Sequence, residues 1–332
     1  MSNLEVDPVV EDCVPGPRVA VEVITAREVP LGGPRAMPVR RTLPQRQRSL
    51  IGAWCFIDHY GPDDVSATGG MDVAPHPHTG LATVSWLFSG EVEHRDAAGV
   101  HAMVRPGEIN LMTAGAGISH SEVSTPDTTV LHGAQLWLAL PDAVRTGDRA
   151  FHHHAPEAVA VDGGSLRVFL GSLAGSTSPV PTATPLVGAE LVVDPGATVV
   201  LDVDSAFEHG VLVDSGVITV EGEALDRAEL GYVGVGADRI AVENSGDEPG
   251  RVLVLGGEPF GEEIIMWWNF VGRTHDEIAA YREEWEAAAD RFGTVEGYVG
   301  PKPRIPAPTL PTTTLRPRVN PDPRARPRGA ES

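Results

Sequence analysis

The stretch HPHTGLATVSWLFSGEVEHRD (76–96), followed by RPGEINLMTAGAGISHSEV (105–123), indicates the fold and carries the candidate site. Its two ends place metal-ligand side chains two residues apart, His76 with His78 and His120 with Glu122. Residues i and i+2 of a β-strand point to the same face of a sheet. Two such pairs on neighbouring strands predict one site, in which three imidazoles and a carboxylate hold a divalent transition metal and leave coordination positions open.

The alternative interpretation is a pair of surface loops that contain histidine by chance. The chain has 12 histidines, so one such pair would be unremarkable. Two matching pairs, with strand-like sequence between them, favour the metal site.

The sequence around this block is typical of an all-β protein. Short valine-rich runs alternate with Gly, Asp and Pro, a pattern of sandwiches and barrels. Ser89-Gly90 is a hairpin-type turn between two strand runs. The length of 332 residues suggests about two domains.

A second β-block begins at about residue 164 and repeats the first one weakly. The segment LVDSGVITV (212–220) matches WLFSGEVEH (86–94) at an offset of 126 residues. This offset carries His76 and His78 to Asp202 and Asp204, and the second pair to the vicinity of Gly246. Glu208 and His209 lie nearby, but adjacent residues face opposite ways on a strand. We therefore expect no metal in the second block.

Two further segments carry local signals. The triplet His152–His154 resembles a metal site, but adjacent side chains alternate faces, so we interpret it as an exposed linker. Thr274 and Glu277 have the spacing of a capping box and predict a helix. A stripe at helical spacing follows, and Gly293 is its stop signal. The stripe consists of Ile278, Tyr281, Trp285 and Ala288.

The charge of the chain argues against nucleic-acid binding. The net charge is −21, although residues 301–332 contain seven basic and two acidic residues. An acidic body repels nucleic acid but does not exclude a protein partner. Cys13 and Cys55 are the two cysteines, which favours the reduced cytoplasm. The N-terminus lacks an apolar signal-peptide region, and no apolar run is long enough to span a bilayer.

The quoted block resembles the pirin family of bicupin proteins. HPHTGLATVSWLFSGEVEHRD and RPGEINLMTAGAGISHSE carry the resemblance, together with GGEPFGEEIIMWWNFVGRTHDEI near the C-terminus. It covers roughly residues 18–295. It implies an all-β fold of two cupin barrels, which are jelly-roll-like double-stranded β-helices. The predicted organisation is an N-terminal extension (1–17), a metal-binding N-terminal cupin (18–145), a linker (146–163), a C-terminal cupin without metal (164–260), a C-terminal segment (261–299) with a helix at about 275–291, and a disordered Pro/Arg-rich tail (300–332).

The resemblance also implies a site and a reaction. The pirin ligands fall on His76, His78, His120 and Glu122, with iron the expected metal and Mn, Ni, Co, Cu and Zn open alternatives. Pirin-like proteins are associated with quercetin dioxygenase activity, which opens a flavonol ring with O2. This predicts a small aromatic or enol-type substrate, with Glu122 as general base. The alternatives are a metal-loaded regulatory or protein-interaction module, and a degenerate member with a structural metal and no turnover.

One departure from the family pattern and one uncertain set of residues remain. Pirin-type sequences commonly have a glutamate four residues after the second histidine, where this chain has Ala82. We expect a polar group near the pocket to be missing as a result. Four apolar residues either line the pocket or, as is more common in barrels, fill the core. They are Trp86, Phe88, Met103 and Met112.

Overall fold

The computed structural model describes residues 19–30, 37–318, 320 and 323. The predicted N-terminal extension, residues 1–17, lies outside the described residues. The first twelve strands are β1 (Val21–Ile24), β2 (Arg27–Pro30), β3 (Pro38–Leu43), β4 (Trp54–Asp64), β5 (Asp72–His78), β6 (Leu81–Ser89), β7 (Val92–Asp96), β8 (His101–Val104), β9 (Ile109–Thr113), β10 (Ile118–Ser124), β11 (Val130–Ala139) and β12 (Ala150–His154).

The strands that follow belong to the second half of the chain. They are β13 (Val159–Val161), β14 (Gly164–Leu170), β15 (Ser172–Leu173), β16 (Ser176–Thr177), β17 (Leu186–Val193), β18 (Thr198–Asp202), β19 (Glu208–Ser215), β20 (Ile218–Val220), β21 (Glu223–Leu225), β22 (Leu230–Val233), β23 (Arg239–Asn244), β24 (Gly250–Gly257), β25 (Ile265–Trp267) and β26 (Phe270–Gly272).

These strands form two barrels of matching topology, which confirms the all-β prediction. In the first barrel a seven-stranded sheet, β12-β9-β6-β11-β4-β3-β2, faces a four-stranded sheet, β5-β10-β7-β8. The second barrel has a seven-stranded sheet, β1-β22-β19-β24-β17-β14-β13, and a four-stranded sheet, β18-β23-β20-β21. The two orders correspond strand for strand. The weak sequence repeat therefore reflects a duplicated architecture.

The edge strands correct the predicted domain boundaries. β1 pairs with β22, so the first described strand completes the second barrel and not the first. The predicted linker, 146–163, contains β12, which pairs with β9, and β13, which pairs with β14. The triplet His152–His154 thus lies on an edge strand. Each added strand covers backbone N–H and C=O groups that an open sheet edge would leave unpaired.

The main core lies between the barrels, where the two seven-stranded sheets pack back to back. Its largest cluster combines Trp54 and Trp86 of the first barrel with Phe169 and Leu253 of the second. Trp86 Nε1 donates a hydrogen bond to a carboxylate oxygen of Glu190 at 2.9 Å, across this interface. Because side chains alternate on a strand, the opposite face of each large sheet is left for the barrel interior.

A buried ion cluster also ties the barrels together. The Asp214 carboxylate is 1% exposed and lies 2.7 Å from His59 Nε2 and 2.5 Å from His132 Nε2. Arg251 and Arg227 approach its oxygens to 3.3 and 3.9 Å. Burial alone would raise the pKa of Asp214, but hydrogen bonds from His132 and His59 outweigh it and hold that pKa well below its usual range. With two guanidinium groups at the carboxylate, the cluster is better suited to joining the barrels than to binding a cation.

The C-terminal helix is shorter than predicted. It spans His275–Glu286 and starts with the expected capping box of Thr274 and Glu277. Ala288 then adopts a φ of +53°, which ends the helix, and a 3-10 helix follows at Asp290–Phe292. The residues that the helix buries are Ile278, Tyr281 and Trp285. Ala288 is exposed and is not part of this stripe.

The described residues that follow position 300 make hydrogen bonds with the rest of the molecule. Ile305 N–H donates to Pro75 O at 2.9 Å, and Ile305 O accepts a hydrogen bond from Trp285 Nε1 at 2.9 Å. Asn320 accepts hydrogen bonds from the backbone N–H groups of Ser49 and Leu50. Residues 324–332 lie outside the described residues. In the part of the chain that the structure describes, no helix is long and apolar enough to cross a bilayer.

The ion cluster predicts the effect of Asp214→Asn. Removing the charge leaves guanidinium and imidazole groups without their buried partner, so the free energy of unfolding should fall by about 3 kcal/mol. Urea denaturation measures this loss. Asp202→Asn is the matched control, because Asp202 pairs with Arg239 at the surface and exposed pairs contribute little. Equal losses in the two variants would contradict the assigned role.

Candidate metal centre

The site is built on the antiparallel pairing of β5 with β10. In this register His76 lies opposite His120, and His78 lies opposite Ile118. The register shifts by one residue beyond His120, so that Glu122 pairs with Val73. Pro75 lies within this irregularity, as expected for a residue with no N–H to give to the ladder. All four predicted site residues therefore reach the interior of the first barrel.

Three imidazoles converge at this point. The ligand nitrogens of His76, His78 and His120 all lie within 4.8 Å of one another, and His78 Nε2 is 3.0 Å from His120 Nε2. Two nitrogens at adjacent positions of an octahedral ion, with bonds of about 2.1 Å, lie about 3.0 Å apart. The donor set and its spacing thus fit a metal ion.

Burial prepares these imidazoles for a metal. All three rings are at most 6% exposed. Burial lowers the pKa of His76 to about 4 and holds the pKa values of His78 and His120 well below their usual range. A metal binds the neutral ring, so the histidines need not lose protons when an ion enters at neutral pH.

Glu122 lies beside these three histidines, but its carboxylate is close to a different pair of imidazoles. Its carboxylate falls within 4.8 Å of the ring nitrogens of His94 and His120. Ser85 Oγ donates a hydrogen bond to Glu122 Oε1 at 3.3 Å. Burial raises the pKa of Glu122, which His94 and Ser85 partly offset. The structure therefore places Glu122 at the edge of the imidazole cluster.

His94 is a site residue that the sequence interpretation missed. Its Nδ1 is 3.3 Å from His120 Nδ1, while its Nε2 is 3.3 Å from the buried Asp96 carboxylate. His94 is directly opposite Glu122 in the β7–β10 pair. The signal was available, because Val92, His94 and Asp96 alternate toward one face of β7. The contact of His94 with Nδ1 of His120 can fix the orientation of the His120 ring, as groups behind a metal ligand commonly do.

The three imidazoles line a cavity of about 420 Å³, one wall of which is aromatic. The rings of Phe56 and Trp137 stack at 4.0 Å between centroids, and the Trp137 ring meets the edge of His78 at 5.1 Å. Arg41 lies over Phe56 and forms two 2.7 Å hydrogen bonds with Asp58. The volume and mixed lining suit a small planar ligand.

Distant segments close this cavity, which explains why the sequence did not reveal them. Met266, Trp268 and Asn269 come from the β25–β26 hairpin, and Ile305 comes from the tail. Trp268 has a φ of +54°, an uncommon conformation for a bulky residue. Sites often hold such residues, because the surrounding structure compensates for the local strain.

The suggested pocket-lining residues are not in this cavity. Trp86 belongs to the inter-barrel core and Met112 to a small cluster with Ala114 and Ile118, so the core interpretation is correct for both. Phe88 packs on the core and against His132, with ring centroids 4.8 Å apart. Met103 is likewise absent from the lining.

Ala82 does not lie near the pocket either, which corrects the expected effect of this departure. It pairs with Thr113 and Leu138 and is buried in the core between the barrels. The parity of the strand explains this, because Ala82 shares the face of Val84 and Trp86. The missing glutamate therefore affects the interface and not the wall of the cavity.

The second barrel has apolar side chains at the positions that correspond to the candidate ligands of the first. Leu201 pairs with Ile240 in β18–β23 as His76 pairs with His120 in β5–β10. The equivalents of His76, His78, His120 and Glu122 are, in that order, Leu201, Val203, Ile240 and Val242. The predicted correspondence with Asp202 and Asp204 is wrong by one residue, because the 126-residue offset does not extend to β18. Asp202 points to solvent instead.

Comparison with known proteins places the chain in a family. The family model described as Pirin matches residues 36–138, and the Pirin C-terminal cupin domain matches residues 188–293. The chain is 43% identical over 302 residues to a protein from Pseudomonas aeruginosa provisionally named a quercetin 2,3-dioxygenase, covering 90% of this chain and 94% of that protein. A pirin-like protein from Caulobacter vibrioides is 35% identical, over 80% of this chain and 92% of that one.

Solved structures agree with this assignment. A crystal structure of quercetin 2,3-dioxygenase from Acinetobacter baumannii has a TM-score of 0.84 and 40% identity, covering 90% of this chain and 98% of that one. Two cupin barrels with this sequence similarity define the class of the protein. The chain belongs to the pirin family.

The position of His94 predicts the effect of His94→Phe. Loss of its contact with His120 should weaken binding of a divalent metal by about tenfold to a hundredfold, as removal of a group behind a ligand commonly does. Competition titration with a chelator measures this affinity. His101→Phe is the matched control, since His101 lies on the exposed edge of the same sheet. Unchanged affinity in His94→Phe would show that His94 does not support the site.

Proposed function

We propose that this chain is a metal-dependent dioxygenase that opens the ring of a flavonol, such as quercetin, or of another enol with O2. The observation that carries the proposal is the convergence of three buried, neutral imidazoles and Glu122 on one aromatic-walled cavity. The names of the relatives from Pseudomonas aeruginosa and Acinetobacter baumannii support the same chemistry.

The proposed metal site consists of His76, His78, His120 and Glu122. These residues would hold a divalent ion, iron in the first place and Mn, Ni, Co, Cu or Zn as alternatives, and the ion would supply Lewis-acid chemistry for an enol substrate and O2. Three imidazoles and one carboxylate leave two positions of a six-coordinate ion for exogenous molecules.

The protein residues around the cavity bind and orient the substrate. The stacked Phe56 and Trp137 rings form a flat wall that an aromatic ring can lie against. Gln135 and Asn269 bring side-chain amides to the same cavity, where they can donate to or accept from substrate oxygens. Met266 and Trp268 also line the cavity, where their bulk would limit the access of water to the reacting atoms.

Glu122 is the proposed general base. Its carboxylate lines the cavity, and Ser85 holds one of its oxygens. When the carboxylate swings off the ion, its other oxygen is free to accept the enol proton. In this arrangement the proton passes from the substrate to Glu122 without leaving the buried site.

The remaining functional proposals rest on composition. The net charge of −21 argues against direct nucleic-acid binding, and the scarcity of cysteine favours the cytoplasm. A protein partner remains compatible with the acidic surface.

Glu122→Gln tests the proposed role of the carboxylate. The variant should retain metal, because three imidazoles remain, and should lose about a hundredfold or more in the rate of O2 consumption. Oxygen uptake with a panel of flavonols, using protein loaded with iron, manganese or nickel, measures the rate. Glu93→Gln is the matched control, because Glu93 lies on the same strand as His94 but is paired with Arg95 near the surface.

Two outcomes would count against the proposal. Absence of O2 consumption with every loaded form of the wild-type protein would leave the two alternatives, a metal-binding regulatory or interaction module and a degenerate member with a structural metal. Undiminished turnover in Glu122→Gln would remove Glu122 from the proton-transfer step. Metal analysis of the same samples ensures that lost turnover is not simply lost metal.

A further inference from the structure

The second barrel contains a cavity of about 580 Å³ at the place that corresponds to the candidate metal centre. Val187 pairs with Gly256 as Phe56 pairs with Trp137, and Leu201 occupies the position of His76. Duplication has therefore preserved an open cavity in the second barrel, although its ligand positions are apolar.

One imidazole enters this second cavity from a different strand. His209 lies opposite Gly256 on β19–β24, as Thr83 lies opposite Trp137 on β6–β11. In the first barrel the bulky residue of this pair is Trp137, on β11. In the second it is His209, on the neighbouring strand, and glycine takes the position of the tryptophan. A Cβ atom added to Gly256 would lie 2.8 Å from His209 Cδ2, so the ring occupies the space above the glycine.

His209 is unsatisfied as well as buried. The residue is 1% exposed, and its Nδ1 has no hydrogen-bond partner among the residues that the structure describes. A buried polar atom without a partner is costly, and the same side chain lines the second cavity. Burial lowers the pKa of His209 to about 4, so at neutral pH the ring offers one donor and one acceptor.

The surroundings of His209 define the ligand. The Phe207 ring lies 6.1 Å from the His209 ring, and Leu173, Val187 and Leu201 supply apolar surface. The exposed residue Asp204 also borders the cavity, and its charge disfavours anions, whereas Asp202 points to solvent and pairs with Arg239. We propose that this cavity is a second small-molecule site, which binds an uncharged phenol-type ring with its hydroxyl hydrogen-bonded to His209 and its face or edge against Phe207.

The probe for this site is 4-bromophenol, added to the full-length, metal-loaded protein. Anomalous diffraction from bromine in soaked crystals locates the probe independently of any probe bound at the metal centre. We expect a bromine peak in the second cavity, with the phenol oxygen within hydrogen-bond distance of the imidazole. Absence of that peak, or an oxygen beyond hydrogen-bond distance, would overturn the proposal even if the first site is occupied.

Solution binding separates the role of His209 from that of the cavity. His209→Phe keeps a ring but removes its hydrogen-bonding nitrogens, so affinity at this site in calorimetry should fall about tenfold. His153→Phe, on an edge of the first barrel, should leave it unchanged. The anion 4-bromobenzoate should bind more weakly than 4-bromophenol. Equal affinity in wild type and His209→Phe would overturn the proposal, and if that variant does not fold, the bromine position in wild-type crystals decides.

Discussion

The pairing register of β5 with β10 is the constraint on which the candidate metal centre depends. A strand that slips by one residue turns its whole set of side chains to the opposite face. With His76 opposite His120, both point into the barrel, and His78 joins them from two residues away. Burying three imidazoles costs free energy of folding. The apolar packing of the two large sheets against each other offsets this cost and involves none of the site residues.

Much of this arrangement could be predicted from the sequence, because a strand has a period of two. The spacing of His76, His78 and His120 predicted the convergence of their rings, whereas Glu122 lies at the edge of that group with His94 and His120. The expectation for Ala82, which came from the family pattern, was wrong, since the sequence does not reveal which face of β6 looks into the barrel. His94 was missed although it lies on the same alternating pattern as Asp96.

Other errors came from long-range structure. The wall of the cavity combines residues of β4 and β11 with Met266, Trp268, Asn269 and Ile305, and only tertiary packing brings these segments together. β1 pairs with the second barrel although it precedes the first in the chain, and no local sequence pattern predicts this pairing. The 126-residue offset is correct at the Ser89-Gly90 hairpin but fails at β18, because connecting segments differ in length between the repeats. Because side chains alternate along a strand, an alignment error of one residue assigns a side chain to the wrong face of the sheet.

The two barrels show how one scaffold carries different interiors. The first has polar ligands on its four-stranded sheet and Trp137 on the facing sheet, whereas the second has Leu201 and Ile240 in the equivalent ligand positions and His209 above a glycine. The candidate metal ligands all lie in the first barrel. The buried ion cluster around Asp214 holds the two barrels together. The candidate metal centre therefore lies in the first barrel alone among the two barrel interiors that the structure describes.

The most direct test is anomalous diffraction at the iron absorption edge from crystals of the iron-loaded protein. Our account predicts one metal peak, bounded by the nitrogens of His76, His78 and His120 and approached by the Glu122 carboxylate. A peak at His59, His132 and Asp214, a peak in the second barrel, or no peak among the three imidazoles would contradict it.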